Sequence, residues 1–502
     1  MLKNPNLNGP FVLGMDLGTG GCKVCAVGED ARLAGSCAVD YPTHTPEPGW
    51  AEQNPDDWMP AIAQATAQLI DQTGIRGEDV AGVALSCAAH IAVLIDGQGR
   101  PTRNAILWSD QRSREEVEAL EAASGHEIFI RTSNPVSTTW TLPHLTWIQR
   151  HDAEAWERTK RILLSKDFLA YLLTGCLTTD PATALSSLLY DPAEDGWSAS
   201  LCELVGVTPD MLGKVHPPTT VVGSLTKEVA SALRLKAGTP VVNGTLDSAA
   251  ETFGAGVASP GRALLRLASA GGIHLVFDHV KPHLRLITYP HPVKPLWFSQ
   301  AGTSTCATSV TWAIRTFTSD KGVSFGDWDR EAGKVAVGSE DLFFHPYLSG
   351  ERCPHWNPRL RASFVGASVR HGTGHFARAV YEGTAFSIRD ALGVLEEVGA
   401  SPTDLTAVGG GTASELWLRI VCDCFGKPLK IAAHADSSYG AALLGLVGLG
   451  FFKETKDVLA NVGQSHREIQ PDKENHAIYN GLFERYRDIH ARLAPVYHGD
   501  WS

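Results

Sequence analysis

The feature of this sequence that most constrains its fold is a glycine-rich turn between two apolar runs near the N terminus. Residues 11–14 are apolar, the segment Asp16-Leu17-Gly18-Thr19-Gly20-Gly21 follows, and an alternating run covers residues 24–27. Two strands joined by such a turn, with an acid at the end of the first strand and a hydroxyl at the tip, let backbone N–H groups contact a phosphate while the carboxylate holds its metal. The segment predicts ATP chemistry, with an ordinary hairpin as the alternative.

The spacing of these glycines argues against two common nucleotide-binding motifs. Gly18, Gly20 and Gly21 do not fit the Gly-x4-Gly-Lys-Ser/Thr loop. The turn also leads into a strand, whereas a dinucleotide-binding Gly-x-Gly-x-x-Gly opens a helix. We therefore expect neither a Walker-type ATPase nor a Rossmann oxidoreductase.

The length and charge of the chain indicate a large enzyme of two domains. A chain of 502 residues exceeds what one hydrophobic core usually organises, so we expect domains over residues 1–250 and 251–502 with a cleft between them. The formal net charge of −12 argues against a nucleic-acid partner and against an anionic membrane surface. Residues 1–10 lack the apolar core of a signal peptide and no apolar run is long enough to cross a bilayer, so we expect a cytoplasmic protein.

The ten cysteines favour reduced thiols over metal ligands or disulfides. Cys22 and Cys25 fall on an alternating strand where their side chains face opposite sides. Cys422 and Cys424 fall in a predicted helix, where they also diverge. Neither pair is expected to bind zinc.

The order of apolar patterns predicts an α/β protein whose amphipathic helices pack on a sheet. A helix is expected over residues 57–71, where Trp58, Ile62, Ala65 and Leu69 form an apolar stripe. Strands are predicted over residues 82–85, 91–95, 105–108 and 241–243.

The opening pattern occurs again in the second half of the chain. Residues 262–277 show a strand, a turn of small residues with the hydroxyl of Ser269 and the glycine Gly271, and a second strand. This repeat predicts two related halves, each offering a phosphate-contacting hairpin to the shared cleft. Coincidence is the alternative.

A third glycine cluster predicts a strand-to-helix turn. Gly409, Gly410 and Gly411 follow an apolar run and precede a helical stripe through Trp417 and Val421. Backbone without side chains at such a turn allows a flat base or a ribose to approach closely. An ordinary turn is the alternative, although three consecutive glycines exceed what a turn needs.

Asp247 is the candidate for acid–base chemistry. It stands where the strand predicted over residues 241–243 gives way to a helix, close to the expected domain boundary. A lone aspartate at this place is often a helix N-cap. In a kinase, however, an acid must accept the proton of the attacking hydroxyl, and a carboxylate near the γ-phosphoryl group can do so.

Together these segments resemble the FGGY family of carbohydrate kinases, most closely its xylulokinase-like members, over nearly the whole chain. The resemblance implies an α/β fold of two actin/Hsp70-like (ribonuclease H-like) ATPase domains, the first sugar-binding with a phosphate hairpin and the second nucleotide-binding. The segments that carry the resemblance are residues 16–23, 49–53 with Trp58, 106–112, 166–180, Asp247, 347–352 and 409–411.

The resemblance also implies roles for single residues, with ATP and Mg²⁺ as the cofactors. Asp247 would be the catalytic base and would contact the substrate, and Asp16 would hold Mg²⁺ or position phosphate. The expected ATP-binding residues are Asp16, Thr19, Gly20, Lys23, Ser269, Gly271, Gly409, Gly410 and Gly411. The expected sugar-binding residues are His90, Asp110 and Arg112, besides Asp247.

The reaction implied is transfer of the γ-phosphoryl group to a hydroxyl of a small ketose or polyol, with a xylulose-like sugar as the first candidate. Ribulose, gluconate, glycerol or a tetritol are the alternatives within the family, and an actin-like ATPase without sugar kinase activity is the more distant one. No nucleic-acid or membrane partner is expected, and a homodimer is left open.

The chain differs from the family pattern at positions that bear on which sugar it binds. The segment Ser86-Cys87-Ala88-Ala89-His90 replaces a Ser-Gly-Gln-Met-His pattern, so the histidine is kept while its larger neighbours are lost. Because missing polar partners alter selectivity, D-xylulose is expected to be a poor substrate or one of several. The competing expectation is that residues near Trp140 or Phe298 refill the space. Ala268-Ser269-Ala270-Gly271 likewise keeps one hydroxyl where the family has two.

Overall fold

The computed structural model of the protein describes residues 9–318, 323–462 and 467–498. The expectation for the first ten residues falls mainly on residues 1–8, which lie outside the described residues. Within the described ranges, no helix is both long enough and apolar enough to cross a membrane.

The helices and strands alternate along the chain, as the apolar patterns predict. The strands are β1 (Phe11–Leu17), β2 (Gly21–Gly28), β3 (Leu33–Asp40), β4 (Glu52–Gln53), β5 (Val80–Cys87), β6 (Ala92–Ile95), β7 (Ala105–Ile106), β8 (Arg161–Leu164), β9 (Thr178–Thr179), β10 (Tyr190–Asp191), β11 (Gly196–Trp197), β12 (Lys214–Val215), β13 (Val221–Ser224), β14 (Pro240–Leu246), β15 (Arg262–Leu267), β16 (Gly271–Phe277), β17 (Ile287–Pro290), β18 (Trp297–Gly302), β19 (Phe343–His345), β20 (Ser363–Val365), β21 (Asp404–Val408), β22 (Leu429–Ile431) and β23 (Arg467–Ile469). The helices are α1 (Trp58–Thr73), α2 (Arg114–Thr132), α3 (Thr141–His151), α4 (Ala153–Arg158), α5 (Ser165–Thr174), α6 (Pro181–Leu185), α7 (Ala199–Glu203), α8 (Lys227–Ala232), α9 (Asp247–Gly254), α10 (Ala307–Phe317), α11 (Phe325–Ala332), α12 (Thr373–Glu397), α13 (Glu415–Phe425), α14 (Ser437–Gly448), α15 (Thr455–Val462) and α16 (Lys473–His498).

The chain divides into two compact units. The first consists of Met1–Ala258, Tyr289–Trp297 and His434–Gln464, and the second consists of Ser259–Thr288, Phe298–Ala433 and Ser465–Ser502. The domains expected over residues 1–250 and 251–502 stay a prediction. The contacts show in addition that a distant segment with α14 and α15 belongs to the first unit.

The sheet of the first unit is built around the predicted N-terminal hairpin. Its strand order is β13-β14-β5-β1-β2-β3. β1 pairs antiparallel with β2, so that Asp16 lies opposite Lys23, and it pairs parallel with β5 on its other side. All residues of β1 except Asp16 are buried, which is typical of a central strand covered on both faces. The predicted strand–turn–strand unit is confirmed.

The sheet of the second unit has the same arrangement around its own hairpin. Its strand order is β17-β18-β16-β15-β21-β22-β23. β15 pairs antiparallel with β16 and parallel with β21, as β1 does with β2 and β5. The prediction of two related halves is therefore confirmed by topology.

Local predictions for α1 and for the divergence of Cys22 from Cys25 are also confirmed. α1 buries Trp58, Ile62, Ala65 and Leu69 and ends at Gly74, which is left-handed at φ 74°. Cys22 and Cys25 belong to two different hydrophobic clusters, because successive side chains of β2 face opposite sides of the sheet. All ten cysteines are free thiols.

Candidate active site

The tip of the β1–β2 hairpin is held by side chains that bind its carbonyl and hydroxyl oxygens. The Tyr41 hydroxyl donates to Gly18 O at 2.5 Å, and Gln53 Nε2 donates to Thr19 O at 2.6 Å. Trp108 Nε1 donates to Thr19 Oγ1 at 2.9 Å. A Cβ atom built on Gly20 would meet nothing within 4 Å. The tip is therefore fixed from one side and presents open space at Gly20.

Asp16, at the end of β1, is the acid of this hairpin. Its Oδ1 atom is buried and has no hydrogen-bond partner within 3.5 Å among the described residues. Burial, together with the nearby carboxylates of Asp247, Asp436 and Glu251, raises the pKa of Asp16 to about 7. Negative charge is thus concentrated at this end of the sheet.

These residues fit a magnesium ion at Asp16. Mg²⁺ usually takes one or two protein carboxylates and completes its octahedron with waters and substrate phosphates. Asp16 Oδ1 offers such an oxygen, and a cation beside it would offset the repulsion between the four carboxylates. In the described ranges no three acidic, histidine or cysteine side chains form a closed metal cage. The donor set is that of an open site with one protein oxygen.

Lys23 lies on β2 and pairs with an acid that the sequence analysis missed. Its Nζ atom is 2.8 Å from Asp436 Oδ2, and both side chains are about one-third exposed. The ion pair with Asp436 raises the pKa of Lys23 although burial opposes the shift. Asp436 also caps α14 by accepting from Tyr439 N at 3.1 Å. The predicted ATP contact of Lys23 stays a prediction.

α14 approaches the site closely because glycines line the contact. A Cβ atom on Gly14 would lie 1.8 Å from Ser438 O, and one on Gly440 would lie 1.9 Å from Ala250 O. These positions admit only glycine, which brings α14 against β1 and α9. The run Gly440-Ala441-Ala442 was the available sequence signal for this packing.

Asp247 is the first residue of α9, directly after β14. Leu246 occupies the N-cap position, and Asp247 Oδ1 accepts from the next backbone amide, Ser248 N, at 2.7 Å. The N-cap alternative therefore does not describe this residue. The charge of Asp247 contributes to the raised pKa of both Asp16 and Tyr289, so the carboxylate lies near both groups. Its role as the base stays a prediction.

His90 lies buried in a sharp turn, between aromatic side chains. Its Nδ1 lies 3.0 Å from Ser186 O and its Nε2 lies 3.0 Å from the Tyr289 hydroxyl. Because a carbonyl only accepts, Nδ1 carries a proton and donates to Ser186 O, while Nε2 faces the Tyr289 hydroxyl. The Trp140 ring packs edge-on at 4.5 Å between centroids.

The backbone of His90 is left-handed at φ 69°, which costs a non-glycine residue roughly 1–2 kcal/mol. Strain of this kind at a buried polar residue is typical of functional sites. His90 was predicted from its motif, whereas Tyr289 lies 199 positions further along the chain and no sequence pattern pointed to it.

Asp110 and Arg112 are bound mainly to each other. Asp110 Oδ1 accepts from Arg112 N and Nε, and Oδ2 accepts from Arg112 Nη2 and from Ala51 N, at 2.6–2.9 Å. Arg112 Nη1 also donates to Glu52 Oε1 at 2.6 Å, and its guanidinium lies 3.8 Å from the centre of the Trp50 ring. These contacts hold the loop around residues 106–112. Sugar contact by either residue stays a prediction.

The hairpin tip of the second unit is held mainly by backbone groups, with one side-chain contact in which the Thr303 hydroxyl accepts from Gly271 N at 3.2 Å. Ser269 O accepts from Cys306 N at 2.9 Å and Ala268 O accepts from Ala307 N at 2.9 Å, at the start of α10. Gly271 is buried, and a Cβ atom there would lie 2.7 Å from Thr303 Oγ1. Ser269 itself is exposed. Of the two residues predicted to bind ATP here, Ser269 is exposed to solvent and Gly271 is not.

The three glycines after β21 differ in their surroundings. Cβ atoms on Gly409 and Gly411 would lie 2.7 Å from Leu267 atoms, so both allow close packing against β15. A Cβ atom on Gly410 would meet nothing within 4 Å. Gly410 is therefore the position where a ligand can approach the backbone, and the predicted adenosine contacts stay a prediction.

Two family models match the chain. The model "FGGY family of carbohydrate kinases, N-terminal domain" matches residues 11–254, and the corresponding C-terminal domain model matches residues 271–449. Among curated relatives, a xylulose kinase from Staphylococcus epidermidis is 31% identical over 97% of this chain and 97% of its own length. A gluconokinase from Bacillus subtilis is 27% identical over 97% of each chain.

A solved structure of a xylulose kinase from Rhodospirillum rubrum is similar over 97% of this chain and 100% of its own. The TM-score is 0.87 and the sequence identity is 28%. This likeness and the family matches confirm the predicted two-domain, actin/Hsp70-like fold.

Proposed function

The chain belongs to the FGGY family of carbohydrate kinases, and we propose that the sugar it phosphorylates with ATP is a xylulose-like ketopentose. The observation that carries the proposal is the 31% identity to a xylulose kinase over 97% of the chain. The similarity to a gluconokinase supports a sugar acid as the second candidate.

We assign the proton transfer to Asp247. The carboxylate stands at the N-terminal end of α9, near Asp16 and Tyr289, and an acceptor hydroxyl bound there can pass its proton to Asp247 as the phosphorus–oxygen bond forms. The transition state of phosphoryl transfer is loose, so positioning and charge neutralisation supply most of the acceleration and the base supplies less.

We assign phosphate and metal binding in the first unit to the β1–β2 hairpin. Asp16 would hold Mg²⁺, which supplies neutralisation of the phosphate charge when it is bound. The open space at Gly20 and the Thr19 hydroxyl would receive the phosphates, with Lys23 beside them. In the second unit, Ser269 and Gly410 are the predicted nucleotide contacts with accessible positions.

We assign acceptor binding to the surroundings of His90. His90 donates from Nδ1 to Ser186 O, and Trp140 packs against it with a rigid apolar face. Cys87 and Ala88 belong to the hydrophobic core of the first unit, so the small residues there change core packing more than the wall of a pocket. This favours the expectation that Trp140 compensates over the expectation that D-xylulose is a poor substrate.

A panel of acceptors tests the proposal. ADP release with MgATP would be measured for D-xylulose, L-xylulose, D-ribulose, L-ribulose, erythritol, glycerol and gluconate, with mass spectrometry of the product. We expect the highest kcat/KM for D-xylulose, by about a hundredfold, which a few pocket contacts can supply. Higher kcat/KM for gluconate would replace xylulose with the second candidate. ATP turnover that no acceptor stimulates would indicate the actin-like ATPase.

A further inference from the structure

A buried ionic cluster lies beneath the end of β14 in the first unit. Lys166, the second residue of α5, has a side chain with no exposed surface. Its Nζ atom donates to Asp167 Oδ1 at 2.8 Å and to Asn243 Oδ1 at 3.1 Å, and it lies 3.6 Å from Asp180 Oδ1. One buried ammonium thus links α5, β14 and the start of α6. We call Lys166, Asp180 and Asn243 the hub.

The hub holds β14 at two points just before Asp247. Asn243 is held by Lys166, and the Thr245 hydroxyl donates to Asp180 Oδ2 at 2.7 Å. Between them, Gly244 adopts φ 70°, and a Cβ atom there would lie 1.6 Å from Leu85 O. The pairing of β14 with β5 is irregular over this stretch. Such irregularities change the direction of the strand, and Asp247 begins α9 two residues after the pairing resumes at Thr245.

The same hub also supports the turn that carries His90. Asp180 caps α6 by accepting from Ala182 N at 3.2 Å. At the other end of α6, Ser186 O accepts from His90 Nδ1 and Ser186 Oγ accepts from His90 N at 3.3 Å. Next to Lys166, Ser165 Oγ donates to Ala88 O at 3.1 Å, two residues before His90.

We infer that the hub is a positioning device that sets the distance and orientation of Asp247 relative to His90. The inference rests on the proposed function, since it assumes that Asp247 acts on an acceptor bound beside His90. Replacing a buried ion pair with apolar residues is often neutral for stability, so stability alone does not account for this cluster. Displacing a catalytic group by about 1 Å, in contrast, can cost about a hundredfold in rate.

The sharpest test removes one hub contact without leaving a buried charge unpaired. Thr245→Val keeps the shape of the side chain and removes its hydrogen bond to Asp180, whereas Thr245→Ser keeps the hydroxyl. We expect kcat to fall about tenfold in Thr245→Val, with KM for ATP unchanged. Thr245→Ser should retain most of the kcat of the parent protein. Thr66→Val is the matched control, because the buried Thr66 hydroxyl donates to Ile62 O within α1.

Lys166→Met is the second variant and should lower kcat by about a hundredfold. If it fails to fold, the Thr245 pair still decides. Wild-type kcat in Thr245→Val, or an equal loss in Thr66→Val, would overturn the inference while leaving the sugar kinase proposal intact. If the unmodified protein phosphorylates no acceptor of the panel, the proposed function is wrong and the hub inference falls with it.

Discussion

The two hairpins of this protein share a topology but carry opposite charges at the same position. Asp16 precedes the last residue of β1, and Arg266 precedes the last residue of β15. Each strand is flanked by an antiparallel hairpin partner and a parallel strand. An acid at this place suits a phosphate whose charge is already offset by a cation, whereas a guanidinium attracts the phosphate itself. The two related hairpins therefore differ in the electrostatic environment that each would offer a phosphate.

The tips of the hairpins are also held differently. The first tip is bound by the side chains of Tyr41, Gln53 and Trp108, and the second mainly by the backbone at the start of α10, with one side-chain contact from Thr303. Side-chain support can be altered by substitution one residue at a time. Backbone support depends on α10 as a whole, so the second tip should tolerate more changes of side chain.

The largest expected effect concerns Asp247 of the first unit, the residue proposed as the base. Asp247→Asn should lower acceptor-dependent kcat by about 10²–10⁴-fold, because general-base assistance is lost, while ATP binding and the fold persist. Steady-state kinetics and calorimetric ATP titration would measure both, with the exposed Asp210→Asn as the control. A variant that works at the parent rate would contradict the assignment of Asp247.

The next effect compares the two charged positions directly. Asp16→Asn should lower kcat by about 10²–10³-fold, since a charge-stabilising group is lost from the reacting phosphates. Arg266→Gln should cost only about tenfold, mainly in KM for ATP, as for one hydrogen bond to a charged group. Equal losses in the two variants would break the proposed division of electrostatic roles.

A smaller effect concerns the pH dependence of stability. The pKa of Asp16 is raised to about 7 by burial and by the nearby carboxylates, while its unfolded value is about 3.9. The native state therefore binds more protons between these values, and the contribution of Asp16 to stability is lost as the pH rises from about 4 through 7.

Asp16→Asn should remove this loss, so its stability relative to the parent protein should improve by on the order of 2 kcal/mol between pH 5 and pH 8. Urea denaturation without metal or nucleotide would measure it. A constant difference between the two proteins across this range would show that Asp16 does not titrate as its burial implies.

The smallest expected effects come from adding one methyl group to each hairpin, in Gly271→Ala and Gly20→Ala. Gly271→Ala places Cβ 2.7 Å from Thr303 Oγ1 and should cost about 1–3 kcal/mol of stability. Gly20→Ala meets open space and should leave the melting temperature unchanged while raising KM for ATP several-fold. Thermal melts and ATP kinetics on both variants distinguish packing from ligand approach. A stable Gly271→Ala with impaired ATP binding would reverse the assignment.

Local patterns carried most of the fold prediction. The two hairpins, α1 and the divergence of Cys22 from Cys25 follow from alternation and helical spacing within short windows, which are local properties of the chain. The glycine clusters also fall in turns, as expected. Such short segments do not show which distant residue each side chain contacts.

The remainder of the site depends on contacts between distant segments. Asp436 meets Lys23 across 413 positions, and Tyr289 meets His90 across 199. The oxygens of Asp110 accept from Arg112 and Ala51, and its expected contact with the sugar stays a prediction. A carboxylate beside an arginine in sequence can bind that arginine or a ligand, and only the packed structure distinguishes the two.

The return of His434–Gln464 to the first unit bears on how the protein is made. Leu443 and Leu444 of α14 pack in one cluster with Val12 of β1 and Phe253 of α9. A ribosome releases these partners more than 180 residues before α14, and most of the second unit is synthesised in between. Until α14 has been synthesised, the first unit therefore has an exposed apolar face. A fragment cut at residue 258 would keep that face exposed and should aggregate, whereas linking residues 434–464 to it should restore solubility.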